Sequence, residues 1–216
     1  MDGAELAPPL ASAVLTATLV AVLVAAADGR AGVALLDLNQ ASTRDLIRVS
    51  ATRSGVEAAL VAALMLQESG GDPWAVRAEP GYRWVWDVRR HQAFRTLTAQ
   101  EATSPTPPQD FYGPLGASRA TEWTSQRMSW GLLQVMGAVA REHGFKGPFL
   151  SSLLEPGEGL TYGCALLAAL GHRWGAQGLQ AVVSAYNAGR PTEANRETYV
   201  EPVLRLLTTT RPLFGA

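Results

Sequence analysis

The sequence predicts a mostly α-helical domain. Three observations carry this: apolar residues recur at three- and four-residue spacing from Ser42 onward, glycines punctuate the ends of those stretches, and no segment sustains period-two alternation. Ser42, with Asp45 three residues on, opens a short first helix carrying Leu46, Ile47 and Val49. Ser54 and Glu57 have the Ser-x-x-Glu spacing of a capping box, and the helix they start places Val56, Leu60, Ala63 and Leu64 at helical spacing. It stops at Gly70-Gly71-Asp72-Pro73. Further helical stretches are expected over 130–143, 159–174, 179–187 and 196–207, with Gly144, Gly175 and Gly189 at three of their ends.

Composition narrows the function classes. The 216 residues carry 18 Lys+Arg against 19 Asp+Glu, a balance that lacks the basic face nucleic-acid binding requires. A single cysteine, Cys164, rules out an internal disulfide framework. His91, His143 and His172 are scattered, so no metal-ligand cluster is legible and neither a metal nor an organic cofactor is expected.

The N-terminus is set apart as a hydrophobic segment, residues 1–39. Leu10 to Ala27 carry no charge, at the lower length limit of a membrane span and the upper limit of a signal-peptide core. Ala25-Ala26-Ala27 fits a cleavage site, but Asp2 and Glu5 stand where basic residues belong in a signal. Export, a membrane anchor and a helix packed on the domain or on a partner all remain open for residues 10–27. The catalytic unit is expected over 40–216. Within it, residues 77–128 break the helical rhythm with Pro80, Pro105, Pro107, Pro108 and Pro114. The span from Trp74 to Trp130 also holds nine of the sixteen aromatics, too many for a structureless loop of that length.

Glu68 is the leading candidate for chemistry. It lies four residues after Leu64 and eight after Leu60, on the buried face of its helix, and in the last turn, where the helix dipole is negative. Burial and dipole both disfavour a carboxylate, so its pKa is expected to be raised, as general-acid catalysis requires.

Three motifs then occur in order, each at a predicted helix boundary: Glu68-Ser69, the run Ser129-Trp130-Gly131-Leu132-Leu133-Gln134-Val135-Met136 read as the start of a helix, and Ala185-Tyr186-Asn187-Ala188-Gly189. With Thr198-Tyr199-Val200 they resemble the lytic transglycosylase SLT domain family of the lysozyme-like superfamily, over roughly Ser42 to Leu207. The stretches 79–84 and 129–149 resemble phage or prophage members most. The resemblance implies a lysozyme-like (goose-type/SLT) helical domain with a long aromatic- and Pro-containing insertion. It also implies a peptidoglycan glycan strand as partner, and a single catalytic carboxyl, Glu68. That residue would protonate the oxygen between N-acetylmuramic acid and N-acetylglucosamine, then act as base on the muramic C6 hydroxyl, leaving a 1,6-anhydro end. Tyr186 would hold the Glu68 carboxyl with its hydroxyl. Gln134 would bond a sugar N-acetyl or hydroxyl group. Ser69, Ser129, Gly131, Asn187 and Tyr199 would line the substrate. The work would take place at the cell wall, reached by export, by a membrane anchor, or in a virion or secretion complex.

Two departures stand out. Leu133 replaces the usual Met of the Gly-Leu-Met-Gln motif, a volume-conserving change. The spacing between Glu68 and Gly131 is much longer than in many members, so residues 77–128 read as an insertion. Its Trp84, Trp86 and Trp123 either stack on sugar faces or form a small core of their own, and the second is favoured. Glu79, Asp87, Glu101, Asp110 and Glu122 each offer a second carboxyl, which keeps a water-using muramidase open. A glycan-binding structural component is the reading outside enzymology.

Overall fold

The computed structural model describes residues 35–215, so the expectations for residues 10–27 lie outside it. Among the described residues the chain runs α1 (Ala41–Ser54), α2 (Ala58–Ser69), β1 (Val76–Ala78), β2 (Trp86–Asp87), β3 (Gln92–Ala93), α3 (Ala99–Thr103), α4 (Arg119–Gln126), β4 (Met128–Trp130), β5 (Val135–Met136) and α5 (Gly137–Glu142). A 3-10 turn (Leu150–Leu154) leads to α6 (Pro156–Trp174) and α7 (Leu179–Ala188); a π-helical turn (Arg196–Val200) then leads into α8 (Glu201–Phe214). The described residues are mostly helical, as the sequence predicts.

At the centre lies α2, with every residue from Ala59 to Met65 buried. A helix apolar on all sides has to be wrapped, and α8 covers it, with the Thr210 hydroxyl donating to the Ala59 carbonyl at 2.8 Å. Helix α1 packs on α6, and α6 on α7. The first two helices differ in detail from the sequence reading. Ser54 ends α1 instead of capping α2; Glu57 is the N-cap residue of α2 but makes no side-chain cap, because its carboxylate pairs with Arg211 of α8. The predicted stop holds: Gly70 takes a left-handed conformation and its N–H reaches the Leu66 carbonyl.

The larger correction concerns Ser129–Met136, expected to begin a helix. It forms β4, a tight turn and β5, and a helix follows only from Gly137. Gly131 at φ 64° and Gln134 at φ 45° are left-handed, which no right-handed helix accommodates. Strand β4 is central in a three-stranded antiparallel sheet, β1-β4-β5, with Val76 opposite Trp130 and Ala78 opposite Met128. Periodicity misses strands of two or three residues because they are too short to alternate.

The β1–β4 pairing also closes residues 79–127 into an excursion with its own apolar cluster: Val85, Phe94, Leu97, Ala102, Phe111 and Trp123. Phe111 meets Phe94 and Trp123 edge to face at centroid distances of 5.5 and 5.0 Å. Trp123 is fully buried and donates to the Ser104 carbonyl, while Trp84 packs against the main core and Trp86 is half-buried. One buried ion pair ties this excursion to the helical core. Glu122 of α4 takes both Arg141 Nε and Nη2 of α5 at 2.8 Å, and Gln126 bridges Glu122 to the Trp86 carbonyl.

Candidate active site around Glu68

Everything near Glu68 is referred to the turn between β4 and β5. The Ser69 hydroxyl accepts from the Gly71 N–H and donates to the Leu132 carbonyl at 2.9 Å, fixing the end of α2 on the turn. Tyr186 of α7 donates to the neighbouring Leu133 carbonyl at 2.9 Å. The loop after α2 is held as well: the Ala75 carbonyl accepts from Gly131 N–H at 2.8 Å and from Gln134 Nε2 at 3.0 Å. Gln134 Nε2 also bonds the Gly131 carbonyl, and its Oε1 accepts from Ser129 Oγ at 2.8 Å. Gly131 is required twice over. Its φ is positive, and a β-carbon there would lie 2.5 Å from the Leu153 carbonyl oxygen.

Glu68 is half-buried in the last turn of α2. Desolvation pushes its carboxyl from the ordinary 4.5 up to about 7. Against that, the Tyr199 hydroxyl, which donates to Glu68 Oε1, and the positive charge of Arg77 pull it down, while the negative charge of Glu79 pushes it further up. Burial is thus the dominant cause, as the sequence position predicts. With Oε1 already accepting from Tyr199, the acidic proton belongs on Oε2. A carboxylic acid poised near neutrality, whose conjugate base is met by a fixed O–H donor, is equipped to give and retake a proton.

Of the residues singled out in the sequence, Glu68, Tyr186 and Tyr199 come together, and both tyrosines are pushed well above the usual phenol range by burial and by Glu68 itself. The hydrogen bond expected of Tyr186 is made by Tyr199. Tyr199 sits in the π-helical turn, and from there its hydroxyl reaches Glu68. Ser69, Ser129, Gly131 and Gln134 gather at the turn, but their polar groups are spent on one another and on backbone. A sugar contact through Gln134 Nε2 would displace bonds already made, whereas Oε1 accepts from Ser129 alone among the described residues. Asn187 closes α7, its Oδ1 accepting from Asn195 Nδ2 at 3.0 Å, within a network that also joins Ser184 to Asn195.

The carboxyls of the excursion sort clearly. Asp87 caps the Arg89 and Arg90 N–H groups, Glu101 and Asp110 pair with Arg95, and Glu122 pairs with Arg141. Of these five, only Glu79 bears on the Glu68 carboxyl by its charge; it lies just after the end of β1 and is held by Arg77 from within the strand. Arg77 escaped sequence reasoning; the one signal was an Arg-x-Glu spacing just after the turn that ends α2.

A separate cavity of about 350 Å³ is lined by Gln177, Gln180, Thr192 and Arg196 among others. Ser184 faces it from α7, so it lies on the far side of that helix from Tyr186. Among the described residues no group of three His, Cys, Asp or Glu is placed to hold a metal ion, and no single helix is long and apolar enough to cross a membrane.

No curated protein and no solved structure matches the chain. The family model of the transglycosylase SLT domain does, over residues 45–202, a span that begins in α1 and takes in Glu68, the excursion, both tyrosines and the start of α8. The chain therefore belongs to the transglycosylase SLT domain family, and its activity is of the lytic transglycosylase type, on the peptidoglycan of the cell wall.

Proposed function

We propose that the protein cleaves the β-1,4 bond between N-acetylmuramic acid and N-acetylglucosamine without water, with Glu68 as the single acid and base. The observation that carries this is the Glu68 carboxyl itself, pushed by burial to about 7 with Oε1 held by Tyr199. In the first step the Glu68 proton passes to the glycosidic oxygen as the C1–O bond breaks. In the second, the carboxylate takes the proton of the muramic C6 hydroxyl as that oxygen bonds to C1. The carboxyl is restored and the product ends in a 1,6-anhydro sugar. Tyr199 holds the carboxylate between the two steps. All five of the excursion's named carboxyls are engaged in structural pairs or caps, Glu79 with Arg77 included, which supports a one-carboxyl mechanism over a water-using one.

Glu79 keeps the hydrolytic reading in play, because its charge reaches Glu68. The decisive experiment is a digest of purified peptidoglycan by the intact protein and by Glu68→Gln, read by mass spectrometry. Ends lighter by one water, absent with the variant, are expected. Reducing ends would replace this mechanism with hydrolysis, and cleavage by Glu68→Gln would remove Glu68 from its centre. Export or anchoring through residues 10–27, or carriage in a phage particle, would each deliver the enzyme to this substrate.

A further inference from the structure

The cavity beyond α7 has no part in the site around Glu68, and its walls suit a different ligand. Its volume of about 350 Å³ is at the small end for ligand sites, room for a short flexible segment and not for a folded partner. The floor is rigid. The Ser184 hydroxyl accepts from the Thr192 N–H at 2.9 Å and donates to Asn195 Oδ1 at 2.7 Å, and Asn195 Nδ2 donates back to the Ser184 carbonyl at 3.0 Å. These bonds fix the loop before the π-helical turn against α7. Ala181, Pro191 and Val200 add small apolar surfaces. The rim is polar and loosely held. Arg196 approaches Glu193 and Glu201 only to 3.6 Å, beyond hydrogen-bonding distance, and its side chain is 58 % exposed. Exposed Gln177 and Gln180 complete the rim. Among the described residues no aromatic ring lines the cavity, so it lacks the flat face on which a sugar stacks.

We propose that this cavity is a second binding site, for the peptide stem of the wall polymer. Peptidoglycan carries short peptides, rich in alanine and bearing free carboxylates, on its muramic residues. The guanidinium of Arg196, a planar fork without a close partner, takes a peptide carboxylate. Gln177 and Gln180 each offer an amide donor and acceptor to the peptide backbone. The small apolar floor seats alanine methyl groups. Glu193, also on the rim and 88 % exposed, is free to meet a peptide ammonium. Ser184 and Tyr186 are two residues apart on α7 and so point to opposite sides of a helix about 10 Å thick. A stem held here therefore belongs to another part of the polymer than the bond at Glu68. Such a second hold keeps the enzyme on the wall by raising the effective concentration of bonds to cut. The inference rests on peptidoglycan as the substrate and not on which residue is the acid.

The test titrates the 15N-labelled full chain with the synthetic tetrapeptide L-Ala-γ-D-Glu-L-Lys-D-Ala and follows backbone and side-chain amides by NMR. Shifts are expected at Gln177, Gln180, Thr192 and Arg196, with Gly131 and Gln134 of the β4–β5 turn unmoved. Arg196→Gln should weaken binding about tenfold, the loss of a charge-assisted pair. Gln180→Glu, at an exposed helix position that leaves the fold alone, should weaken it too by repelling the carboxylate. Amidating every carboxylate of the peptide should match the effect of Arg196→Gln. In digests both variants should raise the half-saturating amount of intact peptidoglycan and cleave peptide-stripped glycan strands as the parent does. A peptide that moves none of these residues, or that binds Arg196→Gln as tightly as the parent, overturns the proposal. So do shifts at the cavity from the N-acetylglucosamine tetramer, and equal losses on intact and stripped polymer. Because the titration involves no turnover, Glu68→Gln should bind the peptide as the parent does, and a failure of the acid assignment would leave this result standing.

Discussion

Tyr199 and Glu68 define the residue scale. Replacing Tyr199 by Phe removes a bond that pulls the Glu68 carboxyl down, so its pKa should rise above about 7 and the alkaline limb of activity should move to higher pH. The loss of a donor to a charge-bearing oxygen should lower kcat about tenfold or more. Steady-state rates across pH check both, and an unmoved limb would remove Tyr199 from the proton's control. Glu68 itself also costs stability. Its native carboxyl holds a proton up to about 7 while the unfolded chain releases it near 4.5, so between these values the native state binds more protons and stability falls as pH rises. Allowing for its partial exposure, the penalty reaches about 2 kcal/mol above pH 7 and vanishes below pH 4.5. Glu68→Gln should therefore be more stable than the parent at pH 8 and close to it at pH 4, as thermal melts at the two pH values would show. A difference independent of pH would contradict the buried-acid picture. This behaviour was legible in the sequence because it follows from position on one helix. That Tyr199 and not Tyr186 reaches the carboxyl was not legible, because it depends on tertiary packing: Tyr186 is bonded to the Leu133 carbonyl of the β4–β5 turn, and no spacing rule encodes that contact.

At the scale of elements, the β4–β5 turn is the common support of α2, the 72–76 loop and α7. Gly131→Ala forces a β-carbon against the Leu153 carbonyl in a left-handed conformation and should cost about 2 kcal/mol or more in denaturant unfolding. Gln134→Ala leaves the Ser129 hydroxyl and the Ala75 carbonyl without their side-chain partner and should cost a similar amount, together with most of the activity. A Gln134→Ala protein of full stability and reduced sugar affinity would instead assign Gln134 to substrate. The motif holding these residues was visible in the sequence, but its conformation was not. Apolar residues at 130, 132, 133, 135, 136 and 139 imitate helical spacing, while the two positive-φ residues that break the helix are set by tertiary bonds.

For the whole molecule, the separation between the helical core and the excursion over 79–127 matters most. A small core in the excursion was foreseen, since prolines and aromatics mark it in composition, but of the three tryptophans expected to build it only Trp123 does. The ion pair that anchors it was not, because Glu122 and Arg141 lie on different helices and nothing in either local pattern demands a partner. Glu122→Gln leaves Arg141 buried beside a neutral group and should destabilise the protein by about 3 kcal/mol. Hydrogen exchange should show Phe94, Phe111 and Trp123 losing protection before Leu64 and Met65. Simultaneous loss in all five would mean that excursion and core unfold as one unit.

The antiparallel closure of β1 on β4 gives this architecture a natural splice point. Because Ala78 and Met128 stand opposite each other, everything between them can grow, shrink or be exchanged while the strands on either side keep their register. Such a change has an electrostatic toll. Taking out the excursion removes Glu79 and Glu122 together and leaves Arg77 and Arg141 with uncompensated charge, one on β1 and the other inside the protein. Natural or engineered short versions of this chain should therefore carry neutral residues at both arginine positions, a paired signature by which the history of the loop can be read from sequence.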